Sequence, residues 1–159
     1  MAAFHTKVIL MSYTQFSISP EKDGFWGDYA RTIIVRDRKV IREGFNSNTE
    51  FGEGLNAEVQ LHKYLTQIVN ETITFEELYY YMNEKIAQLG CENLDFAKNL
   101  GHSIEIYKGN KKYIEKGNKL KFKEVSCFTF EPHIKKLNGK YGYKMENIYY
   151  FENHILKEL

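Results

Sequence analysis

The stretch FTFEPHI, Phe128 to Ile134, sets one acid, Glu131, inside an apolar run that reads as a buried strand. Taking a lone carboxylate out of water costs more than a strand gains from any one side chain, so a compensating partner is required. Downstream, YGYKMENIYYF, Tyr141 to Phe151, repeats the problem at Glu146. Read as strands with no basic residue at the side of either acid, the two runs point to a cation that is not part of the chain.

The segments around these runs define the fold class. VILMSYTQFSI (8–18) and FWGDYARTIIVRD (25–37) are rich in β-branched and aromatic residues and flank the turn residues SPEKDG, which predicts a β-hairpin, with KVIRE (39–43) extending or pairing with it. FNSNTEFGEG (45–54) reads as a polar, glycine-containing loop. Leu55, Val59, His62, Leu65 and Val69 recur at helical spacing, with Leu61 and Ile68 widening the stripe, and predict a helix over 55–70. A second helix is predicted over 74–90: Thr74 and Glu77 form a capping-box pattern, Phe75, Leu78, Tyr79, Met82, Ile86 and Leu89 share one face, and Gly90 stops it. The tyrosine run Tyr79–Tyr81 reads as core rather than as a stacking surface. After Gly101 the pattern returns to strands in HSIEIYK, KKYIEK, VSCFTFEPHI and YGYKMENIYYFE, with LNGK as a turn before the last. Strands, two helices, then strands define an α+β domain with a mostly antiparallel sheet backed by helices.

The totals agree with one compact domain. The chain has 159 residues, 43% hydrophobic and 15% aromatic, and 22 basic against 21 acidic residues leave a net charge of +1. No overall field recruits nucleic acid or an anionic membrane, so binding must come from a local site. Cys91 and Cys127 are too few for a disulfide framework and lack thiolate metal spacing; they read as small buried residues in a reducing cytoplasm. The N-terminal run MAAFHTKVILMSYTQF is too short and too interrupted to span a bilayer, and reads as a strand.

Four residues in strand-like contexts carry ligand chemistry: Asp28, His102, Glu131 and Glu146. One imidazole with three carboxylates suits Mn, Fe, Co or Zn, whereas Ca or Mg prefers an all-oxygen site. Each residue also has an ordinary alternative, such as Asp28 pairing with Arg31, or the acids joining Lys144, Arg31 or Lys111 in structural ion pairs.

The wording around these residues is specific as a set. DGFWGDYARTIIV, GHSIE, FTFEPHI and YGYKMENIYYF occur in that order, with two helices between the first and second. Together they resemble the motifs of the pita-bread metallopeptidases, the family of methionine aminopeptidase, prolidase, Xaa-Pro aminopeptidase and creatinase, and lie nearest its proline-directed, creatinase-like branch. The resemblance implies a partial pita-bread fold: a curved, mostly antiparallel sheet backed by two helices, with residues 1–159 forming a single domain like the C-terminal part of the catalytic domain. It implies a metal-dependent hydrolase acting on the N-terminal bond of a peptide substrate, in the manner of an Xaa-Pro aminopeptidase. Asp28 matches an Asp that bridges two metal ions, His102 the His ligand, Glu131 a Glu that is both ligand and acid/base, and Glu146 the second, bridging Glu.

Three departures modify that expectation. Ser17 stands where the first hairpin Asp belongs, eleven residues before Asp28, so one divalent ion is expected, Mn first and then Zn, Co or Fe, rather than two. Asp23 offers a replacement but falls at the turn. The position of a further family His is met only by Tyr107, with a short deletion, while His133 shares a strand face with Glu131 and stands as a second catalytic candidate. The family's N-terminal half, with its substrate-contacting His, has no counterpart; His5 lies too close to Ser17 to serve. An incomplete sheet predicts a homodimer or association with an N-terminal segment. The alternative function is a catalytically weak or inactive homologue that binds peptides or proteins.

Overall fold

The computed structural model describes residues 11–23, 25–36, 38–41 and 48–159. His5 and Val8–Leu10 lie outside the described residues, as do Asp37 and Arg42 to Ser47. The first hairpin pairs β1 (Met11–Ile18) with β4 (Tyr29–Arg36), its tip carrying the two-residue strands β2 (Glu21–Lys22) and β3 (Phe25–Trp26), and β5 (Lys39–Ile41) adds to β4. Two helices follow, α1 (Glu50–Ile68) and α2 (Phe75–Gln88), then β6 (Cys91–Asn93), β7 (Cys127–Phe130), β8 (His133–Lys136), β9 (Gly142–Glu152) and β10 (Ile155–Glu158). The main sheet runs β1-β4-β9-β8-β6, with β7 and β10 also on β9, and every pair in it is antiparallel. This is the expected α+β class.

β9 is the hub, and its register decides where the acids go. β7 and β8 both lie against β9 in one continuous register: Phe130 faces Asn147, and His133 faces Lys144. The ladder is interrupted only at Glu131 and Pro132, because proline has no N–H to give it. Continued through that gap, the register sets Glu131 opposite Glu146. On the other side of β9, Ala30 faces Glu146, and Ser17 faces Ala30. Directly opposed residues of an antiparallel sheet share a face, so Ser17, Ala30, Glu146 and Glu131 form one row across the sheet.

The helices cover one side of β9, β8 and β6. α2 has the predicted capping box, with the Thr74 hydroxyl accepting from Glu77 N and the Glu77 carboxylate accepting from Thr74 N, and Gly90 follows its end at φ 67°. α1 begins at Glu50, capped by Thr49, five residues before the expected start, so EFGEG is helix and not loop. Its glycines misled: a Cβ at Gly54 would overlap the Tyr143 ring, so the residue serves close packing rather than a turn. Of the predicted stripe on α1, Leu61, His62, Leu65 and Val69 are buried and Leu55 and Ile68 partly so, but Val59 is exposed, and Ala57 and Glu58 are buried beside the stripe instead. Burial pushes the Glu58 carboxyl well above its ordinary range.

Phe75, Leu78, Met82 and Ile86 of α2 join Leu61 and Leu65 in a core with Phe122, Phe128, Phe130, Ile134, Tyr143 and Tyr149. Tyr79 and Tyr81 only flank that core and Tyr80 is exposed, so the tyrosine run is not central to it. HSIEIYK and KKYIEK do not form the expected strands. Residues 100 to 104 instead run beside β7 as an irregular edge, tied by Glu131 N to Leu100 O, Thr129 N to His102 O and Ile104 N to Cys127 O. Cys91 and Cys127 are free. No helix among the described residues is long and apolar enough to cross a membrane.

His62 ties α1 to β9. Its Nε2 lies 3.1 Å from Met145 O, which can only accept, so Nε2 carries the proton and Nδ1 accepts from the Tyr149 hydroxyl at 2.7 Å. Both nitrogens are used by the neutral ring, and burial lowers its pKa from 6.5 to about 4. The folded protein resists protonation that the unfolded chain accepts, so this contribution is complete above pH 6.5 and is lost as pH falls toward 4. Urea unfolding between pH 7 and 4 is expected to show a steeper acid loss in the wild type than in His62→Gln, by up to about 3 kcal/mol.

Candidate metal centre

The row Ser17–Ala30–Glu146–Glu131 ends under the irregular edge that carries His102, and the four residues matched by motif, Asp28, His102, Glu131 and Glu146, come together there. Atoms of Asp28, His102 and Glu146 lie within 4.8 Å of one another. Glu131 Oε1 stands 3.5 Å from His102 Nε2, and Asp28 Oδ2 stands 3.6 Å from it. Asp28 sits just ahead of β4 and Glu131 in the gap between β7 and β8, two places where the ladder releases the backbone. His102 is held by Gly101, whose φ of 140° and missing Cβ let the chain pass against Thr129 O.

Local chemistry prepares these groups for a cation. His102 Nδ1 lies 3.0 Å from Ser103 O and must donate to it, leaving Nε2 as a lone pair that faces the acids. This is the tautomer of a metal-ligating imidazole, whose second nitrogen is fixed by a carbonyl. Burial lowers the His102 pKa and keeps the ring neutral. Glu146 is 1% exposed, and its Oε1 is buried with no hydrogen-bond partner. Burial, with Glu131 and Asp28 adding like charge, pushes its carboxyl up to about 8. An orphaned carboxylate oxygen, an imidazole lone pair and two further carboxylates match the donor set that a divalent transition-metal ion takes.

Two lysines enter the same space. Lys144, on the same face of β9 as Glu146, lies with Nζ 2.7 Å from Glu131 Oε2. Lys111 reaches from the loop after the 3-10 turn Lys108–Asn110, its Nζ 2.9 Å from His102 Nε2, 3.5 Å from Asp28 Oδ2 and 4.9 Å from the centre of the Trp26 ring. The expectation that the acids lack basic neighbours is therefore corrected. The alternative reading, in which the acids join Lys144, Arg31 or Lys111 in ion pairs, is met by Lys144 on Glu131 and by Lys111 on Asp28. Arg31 does not pair with Asp28 but donates to the carbonyls of Ala30 and Glu146 and to Asn147 Oδ1.

The remaining candidates fall around a cleft. His133, Glu131, Lys144, Tyr113, Asp95, Asn99 and Gly101 line a cavity of about 120 Å³. His133 Nε2 accepts from the Gln15 amide at 3.3 Å, and burial lowers its pKa. Ser17 is exposed on β1 and Asp23 is exposed in the turn at φ 54°. Tyr107 is 73% exposed, whereas Tyr113 packs edge-on to His102 and is the aromatic that meets the site.

The cluster of one imidazole and three carboxylates lies on a curved antiparallel sheet backed by two helices. The description "Metallopeptidase family M24" matches residues 12–153. The chain belongs to metallopeptidase family M24, the pita-bread metallopeptidases. Its fold is similar to that of the X-Pro aminopeptidase of Thermotoga maritima (TM-score 0.71, 19% identity, covering 92% of this chain and 38% of that one). It is similar also to the prolidase of Pyrococcus furiosus (TM-score 0.65, 18% identity, 92% and 40%) and to the methionine aminopeptidase of T. maritima (TM-score 0.66, 11% identity, 91% and 61%). The chain thus spans about two-fifths of the length of the first two. No curated protein sequence matches it.

Gly101→Ala forces a Cβ onto Thr129 O and displaces His102. Denaturant unfolding is expected to show a loss of about 2–3 kcal/mol, with a shift in the emission of Trp26, whose ring lies against His102.

Proposed function

We propose that this chain is the metal-binding part of a peptidase that cleaves the N-terminal bond of a peptide, with Xaa-Pro peptides as the preferred class. The observation that carries this reading is the convergence of Asp28, His102 and Glu146, with an unpartnered buried oxygen on Glu146. Asp28, His102, Glu131 and Glu146 would hold one ion, with Mn ahead of Zn, Co and Fe. Bound there, a divalent ion supplies Lewis-acid activation of water and of the scissile carbonyl.

The chain's own groups do the rest. The Glu131 carboxylate, partly open to the cleft, takes the proton of the attacking water and returns it to the leaving amine. Lys144 orients that carboxylate through its ion pair. His133, facing Lys144 across the β8–β9 pair, contacts the peptide in the same cleft. Residues 1–159 act as one domain equivalent to the C-terminal part of the relatives' catalytic domain, working as a homodimer or with an N-terminal segment.

A second reading, a peptide-binding module without turnover, is favoured by Ser17 and by the two lysines already on Asp28 and Glu131. Elemental analysis and an Xaa-Pro dipeptide assay with added Mn²⁺ separate the two. About one equivalent of metal, lost in Glu146→Ala together with hydrolysis, supports the first. Stoichiometric metal without hydrolysis moves the assignment to the second, and no metal at any concentration removes the first.

Ser17 shares its face with Glu146 across Ala30, so Ser17→Asp is expected to raise the metal stoichiometry from one to two by calorimetric titration.

A further inference from the structure

His102 Nε2 and Asp28 Oδ2 are both acceptors 3.6 Å apart, and Glu131 Oε1 stands 3.5 Å from the same Nε2, so an imidazole lone pair and carboxylate charge meet at one nitrogen. Such an arrangement is stable only with a donor or a cation inside it. The described structure has one: the Lys111 ammonium, 2.9 Å from His102 Nε2 and 3.5 Å from Asp28 Oδ2, resting over the Trp26 ring. A metal bound through His102 would take the same Nε2 lone pair, at about 2.0–2.1 Å from it. One lone pair serves one cation, and an ammonium beside a divalent ion is strongly repelled.

We infer that Lys111 is a tethered competitor of the metal ion: its ammonium occupies the cation position between His102 Nε2 and Asp28, and metal binds only as Lys111 swings out. The inference rests on the reading of this cluster as a metal centre.

Its setting permits the exchange. Lys111 lies in a loop whose neighbours Ile106 and Tyr107 are 83% and 73% exposed, and its own side chain is about a quarter exposed. The backbone beside it is anchored at Lys112, whose N donates to Ser103 Oγ and whose carbonyl accepts from Ser103 N. The four-carbon stem can therefore turn toward solvent while the loop stays in place. Lys144 differs. It is tied to Glu131 at 2.7 Å, has no contact with the His102 lone pair, and need not move for an ion to reach Nε2.

The experiment uses the full 159-residue chain, wild type and Lys111→Met, titrated calorimetrically with Zn²⁺ and Mn²⁺. Lys111→Met keeps the apolar stem and removes the charge, and is expected to bind at least tenfold more tightly than the wild type, whereas Lys111→Arg binds no more tightly. Equal affinity of wild type and Lys111→Met overturns the competition and leaves the metal centre standing. Binding by neither protein removes the metal centre, and the competition with it. A second measurement needs no variant: in Zn²⁺-saturated wild type, the Cε and Nζ resonances of Lys111 are expected to move to those of a solvent lysine. Unmoved resonances at saturation overturn the inference even if Lys111→Met does not fold.

Discussion

Ala30 pairs with Ser17 on one side and with Glu146 on the other, and the β7–β8 register brings Glu131 to the far side of Glu146. That row is the constraint on which the site depends. Backbone hydrogen bonds along β9 fix it, and they do so whatever the side chains prefer. Two ionised carboxylates directly opposite one another, about 5 Å apart, repel by about 3 kcal/mol at an effective dielectric of ~20. The sheet can carry them only with positive charge or a proton in the same place. The Lys144–Glu131 pair answers that imposed proximity, and the charge of Glu131 adds to burial in raising the pKa of Glu146.

The position of His102 follows from a different constraint. Residues 100 to 104 run beside β7 without a regular ladder on their outer side, and Gly101 lets them approach Thr129. The imidazole is then fixed by Ser103 O on one nitrogen and by packing between the Trp26 and Tyr113 rings. An irregular edge places a ligand where a regular strand would have alternated it away from the cleft.

These two constraints explain what the sequence could and could not reveal. Glu131 and Glu146 were legible because a charge inside an apolar run is unusual, and the motif order brought Asp28 and His102 into the same set. α2 was legible because a capping box and a glycine stop are local chemistry. The start of α1 was not: Gly52 and Gly54 look like loop residues, and the reason for Gly54 is the Tyr143 ring, far away in the chain. Leu61, His62, Leu65 and Val69 were legible from helical spacing, whereas the burial of Glu58 and the exposure of Val59 depend on how the sheet meets the edge of that stripe. Lys111 was legible only as one possible partner of the acids; its approach to His102 was not, because that depends on how an irregular loop folds back over Trp26.

Ser17 gives the lysines their meaning. In the pattern that the sequence resembles, four carboxylates and one imidazole balance two divalent ions. With a hydroxyl at position 17, three carboxylates remain, Asp28, Glu131 and Glu146, so the positive charge the row demands is smaller. Lys111 and Lys144 together bring two positive charges, the charge of one divalent ion, and Glu146 offsets the remaining negative charge by holding its proton up to about pH 8. A cluster short of one acid is thus the kind that tethered ammonium groups can neutralise, whereas the full set of acids would outweigh them. The difference between the two occupants is geometric: an ammonium satisfies the His102 lone pair and Asp28 by hydrogen bonds, but it offers no coordination position for the buried Oε1 of Glu146, which stays without a partner. That orphaned oxygen is the reason a divalent ion still has a place to compete for.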